Sequence, residues 1–146
     1  MQRVEIYTDG ACSYNPGPGG WCSILFYKEH KKVVKGYKES TTNNVMELTA
    51  VIEALKALKK CCQINIYTDS MYVKKGITSW ISNWIRRGWK TSSNQPVKNM
   101  ELWKKLYELS LLHEIEWHWV KAHSENELNN EADFIAREQI KVYNKK

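Results

Sequence analysis

Apolar and polar positions change their spacing several times along this chain, and each change marks an element boundary. Residues 4 to 9, 21 to 27 and 32 to 38 are rich in β-branched and aromatic side chains, separated by the stretches NPGPGG and KEHKK. Three short strands joined by turns predict an antiparallel meander. From 44 to 60, Leu48, Val51, Ile52, Leu55 and Leu58 recur at helical spacing, and QINIYTD then supplies a short buried strand. A helix between two strands calls for a parallel crossover. Residues 71 to 88 and 99 to 112 read as helices, EIEWHWVK alternates as a strand, and an amphipathic helix is expected from about 130. The order βββαβααβα predicts an α/β fold, a mixed sheet with helices on its faces.

The length of 146 residues suits a single domain, and no linker or low-complexity tract divides it. Apolar runs extend only a few residues, too few to span a bilayer. The N-terminal stretch MQRVEIYTDG reaches Arg3 and Glu5 with no apolar segment behind it, so no secretory signal is read there and a cytoplasmic location is expected. Cys12, Cys22, Cys61 and Cys62 form no C-x-x-C motif and are read as reduced thiols. A net charge of +6 suits a polyanionic partner. The excess is concentrated between 74 and 105, where eight basic residues meet a single acid, Glu101, among the tryptophans 80, 84, 89 and 103.

The tetrapeptide IYTD occurs at 6 to 9 and again at 66 to 69. Each copy reads as a core strand ending in a carboxylate. Ligand sites in open α/β sheets form beyond the carboxyl ends of strands, so parallel neighbours would bring Asp9 and Asp69 to one edge. Two anions that close call for a positive partner, and a divalent cation suits carboxylate oxygens. Of sixteen acidic residues only three are aspartates, at 9, 69 and 133. Asp133 is expected in the first turn of the last helix, where its simplest role is to complement the helix dipole. Glu47 admits two readings. Asn44-x-x-Glu47 fits a capping box; yet Glu47 also heads the stripe Ala50, Val51, Ala54, Leu58, which should face the sheet, where a carboxylate needs a cation or donor.

The segments YTDGACSYNPGPGGW, TTNNVMEL, IYTDSMYVKKGI, WKT…PVKN and NEAD follow one another in register along nearly the whole chain. Together they resemble ribonuclease H of type 1, in the bacterial form that carries a basic protrusion. The resemblance implies a ribonuclease H-like fold, with three antiparallel and then two parallel strands flanked by helices. It implies hydrolysis of the RNA strand of RNA·DNA hybrids with two Mg²⁺ ions, for which Mn²⁺ is a substitute, leaving 5′-phosphate and 3′-hydroxyl ends. Asp9, Glu47, Asp69 and Asp133 match the family's metal ligands, and His123 matches its mobile histidine.

The same resemblance assigns Asn15, Asn43, Asn44 and the backbone around Cys12 and Met71 to the RNA strand. Thr42 and Asn99 match a phosphate pocket on the DNA strand, and Tyr72, Trp80 and Trp84 an aromatic channel for deoxyribose. By residue type alone, Trp80 and Trp84 are i, i+4 partners that suit a core. Arg86, Arg87, Lys90 and Lys98 match the protrusion, about residues 80 to 98. The chain departs from the pattern at Ala122, Ser124 and Glu125, which flank His123 where glycines are common, and at Ser40 and Val45. A monomer is expected. Competing readings are a non-catalytic hybrid-binding module and a DNA-acting enzyme of the same fold.

Overall fold

The protein is described by a computed structural model covering residues 1–121 and 126–144. Strand β1 (Gln2–Cys12) alternates buried Val4, Ile6 and Thr8 with half-exposed Glu5 and Tyr7, so each of its faces meets a different layer. It pairs antiparallel with β2 (Gly17–Tyr27), which pairs antiparallel with β3 (His30–Thr41). Helix α1 (Asn43–Lys56) crosses over to β4 (Cys62–Thr68), parallel to β1, and β5 (Glu114–Trp119) adds parallel to β4. The sheet order is β3-β2-β1-β4-β5, the expected mixed sheet.

Register gives the repeated tetrapeptide its purpose. Ile6 lies opposite Ile66 and Tyr7 opposite Tyr67, so the two copies run side by side. Their tyrosine rings stack at 4.7 Å, and His118 of β5 stacks on Tyr67 at 4.9 Å. On one face Ile6, Leu25, Leu48, Val51 and Ile66 build the main core with α1 and α4 (Met100–Ser110). On the other, Cys22 and Ile24 pack against Ala132 and Ala136 of α5 (Glu127–Asn144).

Three boundaries depart from the periodicity. Helix α1 stops at Lys56, where the Ala57 N–H closes back on Glu53 and Ala54 and the chain turns toward β4. The expected helix over 71 to 88 is α2 (Met71–Lys75), a π-helical turn (Gly76–Trp80) and α3 (Ile81–Arg86). Gly76 sits against the buried Trp103 ring, where any Cβ would collide with it. The last helix begins at Glu127 rather than about 130, because Asn126 Oδ1 accepts the Asn129 N–H at 2.9 Å and caps it. Between α3 and α4 the chain reverses through Gly88 (φ 68°) and Trp89 (φ 64°). Among the described residues no helix is long and apolar enough to cross a membrane.

Candidate active site

Strands β1 and β4 deliver Asp9 and Asp69 to the same end of the sheet, one in the strand and one just past its end. The main chain at Asp69 is held from two sides. The Trp119 indole N–H donates to the Asp69 carbonyl at 3.1 Å, and the Ser70 N–H donates to Thr68 Oγ1 at 3.0 Å. Ser70 then caps α2 by accepting the Val73 N–H.

Glu47 arrives from α1, and the capping-box reading fails. Thr42 is the cap, its hydroxyl accepting the Val45 N–H at 3.2 Å, so Asn44 already lies inside the helix and Glu47 is too far along it to reach back. Its Oε1 instead accepts the Gly10 N–H across the layer. This contact needs a glycine: a Cβ at position 10 would lie 2.5 Å from both Glu47 N and Met46 C. Asp133 is also displaced from its expected place. Because α5 starts at Glu127, Asp133 stands beyond the first turn, where the helix-end field has faded, and pairs with Arg137 at 2.9 Å.

Oxygens of Asp9, Glu47 and Asp69 all lie within 4.8 Å of one another, while Asp9 and Glu47 are only 3% and 4% exposed. At 4.8 Å and an effective dielectric of about 20, two full charges repel by roughly 3.5 kcal/mol. Burial foremost, then the charges of Glu47 and Asp69, with Asp133 adding a hydrogen bond, push the Asp9 carboxyl far above its ordinary range. Glu47 is pushed up by burial and Asp69, against the opposing pull of hydrogen bonds from Asp9 and Gly10. Such a set must take up either protons or cations. Its all-oxygen donors, one side open to a cleft, fit a hard divalent ion that keeps some of its waters.

That cleft, of about 480 Å³, is also lined by Asn43, Asn44, Met71 and Tyr72. The other expected contact residues surround it or serve the scaffold. Asn15 Oδ1 accepts the Asn43 N–H at 2.9 Å, tying the first loop to the start of α1. The Cys12 thiol donates to the carbonyls of Tyr14 and Thr41. Trp80 and Trp84 are half-buried members of a tilted aromatic cluster with Tyr72, Trp89 and Trp103, partly core and partly surface. Asn99 (φ 60°) precedes α4. Arg86, Arg87, Lys90 and Lys98 are exposed, and none of them lines the carboxylate cleft. His123 lies outside the described residues. Trp103 and Trp119 support the site but carry no motif signal, because each acts through a contact between distant segments; Arg137 is legible only as an i, i+4 partner of Asp133 on the last helix.

The family model described as RNase H matches residues 1–141. A relative named Ribonuclease H from Wolbachia sp. subsp. Drosophila simulans (strain wRi) is 58% identical over 139 residues, covering 95% of this chain and 96% of its own. Among solved structures, LC9-RNase H1, a type 1 RNase H with the type 2 active-site motif, superposes with a TM-score of 0.88 at 30% identity, covering 97% of this chain and 74% of its own. LC11-RNase H1 in complex with RNA/DNA hybrid shares the fold, with a TM-score of 0.67 at 22% identity over 96% of this chain and 98% of its own.

Proposed function

The chain belongs to the ribonuclease H family, and from that premise we propose that it is an endonuclease hydrolysing the RNA strand of RNA·DNA hybrids. The observation that carries this reading is the buried carboxylate cluster at the floor of an amide-lined cleft. Asp9, Glu47, Asp69 and Asp133 would hold Mg²⁺, with Mn²⁺ as a substitute. Two such ions, when bound, supply activation of the attacking water and stabilisation of the departing 3′ oxygen, so that cleavage leaves 5′-phosphate and 3′-hydroxyl ends.

The chain's own residues orient the site and read the duplex. The Gly10 N–H aims the Glu47 carboxylate, and the Trp119 indole steadies the main chain of Asp69, before substrate arrives. Asn15, Asn43, Asn44 and the backbone near Cys12 and Met71 face the RNA strand, where an amide can both donate to and accept from a 2′-hydroxyl. Thr42 and Asn99 take a DNA phosphate, while Tyr72, Trp80 and Trp84 pack on deoxyribose. Arg86, Arg87, Lys90 and Lys98 extend the footprint along phosphates without reading sequence. His123, matched to the family's mobile histidine, moves a proton or speeds product release. The working unit is a cytoplasmic monomer.

Carboxylates at the centre of a polyanion site would only repel a passively bound backbone, which favours an enzyme over a hybrid-binding module. The test is a panel of labelled hybrid, duplex DNA and duplex RNA, each with Mg²⁺ or with chelator. Cleavage of the RNA strand of the hybrid, in Mg²⁺ only, is expected. Hybrid RNA left intact in Mg²⁺ overturns the proposal, and cleavage of duplex DNA transfers the chain to the DNA-acting enzymes of this fold.

A further inference from the structure

Tyr72 lies near the start of α2 in the wall of the cleft, with its ring edge-on to Trp80 at 5.9 Å and tilted against Trp103 at 5.2 Å. Its hydroxyl oxygen accepts two hydrogen bonds, from the Trp103 indole N–H at 2.9 Å and from the Asn99 side-chain amide at 3.1 Å. An indole nitrogen can only donate. Trp103 is also fully buried and seated against Gly76, so it cannot swing away to release the phenol. Asn99 is set by its left-handed backbone immediately before α4.

With its oxygen engaged by two donors, the phenol has one bond left to make, through its own hydrogen. Among the described residues nothing accepts that hydrogen. We infer that Tyr72 is a specificity-determining residue: Trp103 and Asn99 lock its hydroxyl as a donor, and it presents that donor to a non-bridging phosphate oxygen of the DNA strand. A phosphate oxygen accepts and never donates, which matches a group whose accepting capacity is spent. The ring thus serves as the mount and the hydroxyl as the reading group, with Trp103 a positioning residue behind it. The inference rests on the hybrid-hydrolysing reading above and adds to it a polar contact on the strand that is not cut.

The test is a double-mutant cycle between protein and substrate. Binding is measured in the Asp9→Asn background against hybrids carrying one neutral methylphosphonate at successive DNA positions. With Tyr72 present, one position should cost about tenfold in affinity, as expected for a hydrogen bond to a charged group. Tyr72→Phe should bind the unmodified hybrid about tenfold more weakly and lose nothing further at that position. In the active enzyme the same change should raise KM with kcat within about twofold. Thermal melting verifies that Tyr72→Phe is folded. Equal methylphosphonate losses with and without the hydroxyl at every position overturn the inference, as does coupling at single 2′-deoxy positions of the RNA strand instead. Failure of the unmodified chain to cleave hybrid RNA is a separate result that removes the hydrolase reading itself.

Discussion

Without metal, the carboxylate cluster should make the protein less stable as pH rises, and Asp9→Asn should relieve that loss. Asp9 and Glu47 are buried, and the site's oxygens lie within 4.8 Å of one another, so a second full charge there costs roughly 3.5 kcal/mol at an effective dielectric of about 20. The folded cluster therefore keeps a proton that the unfolded chain has already released. Unfolding then releases protons, and stability falls with pH by about 1.4 kcal/mol per pH unit for each proton retained. This contribution is fully present below the ordinary carboxyl range. For Glu47 it is lost as pH climbs toward its raised folded value of about 8. Between pH 5.5 and 7.5 one retained proton amounts to about 2.7 kcal/mol. Urea denaturation in chelator at these two pH values measures it. Wild type should lose about 2 to 3 kcal/mol across the interval, whereas Asp9→Asn, which removes one of the mutually repelling groups, should lose less than half as much. Saturating Mg²⁺ should level the wild-type profile, because cations take the place of protons. The same variant should bind hybrid and fail to cleave it. An Asp9→Asn protein that is no more stable than wild type at pH 7.5, or whose advantage grows toward pH 5.5, would refute the electrostatic account.

Gly10→Ala places a Cβ 2.5 Å from the main chain of α1, so urea unfolding should register a loss of about 1 to 3 kcal/mol or more; a change under about 0.5 kcal/mol would show that the layers part easily. Trp119→Phe keeps an aromatic ring but drops the hydrogen bond to the Asp69 carbonyl, and calorimetric titration should find Mg²⁺ affinity weakened about tenfold with the fold retained. Replacing Arg86, Arg87, Lys90 and Lys98 with alanine should flatten the dependence of hybrid affinity on salt, by about 0.7 to 0.9 in log–log slope for each side chain that meets a phosphate. An unchanged slope would detach the protrusion from binding.

Much of the architecture is legible in the chain because it follows from local periodicity. β-Branched and aromatic content with Gly/Pro punctuation marks the meander, and the spacing of Leu48, Val51, Ile52 and Leu55 marks α1. The repeated IYTD also carries its own consequence. Two identical strands that pair in parallel and in register must bring the two aspartates to one edge, and the pairing of Ile6 with Ile66 does so. What residue order could not decide was the fate of groups with two local options. Glu47 had a capping box within reach of its own helix, and only the position of the cap at Thr42, two residues before Asn44, together with the bare backbone of Gly10 opposite, turned it toward the site.

The same division separates the aromatic residues. Their clustering between 72 and 103 is visible in the sequence, but the sequence contains no sign that Trp103 would reach Tyr72 across 31 positions. Nor does it show that a π-helical turn at Gly76 would make room for the indole ring. Periodicity is set by neighbours a few residues apart, so one chain encodes it directly. Burial, proton uptake and hydrogen-bond polarity depend on which distant segments share a low-dielectric volume, and that is settled only when the layers close.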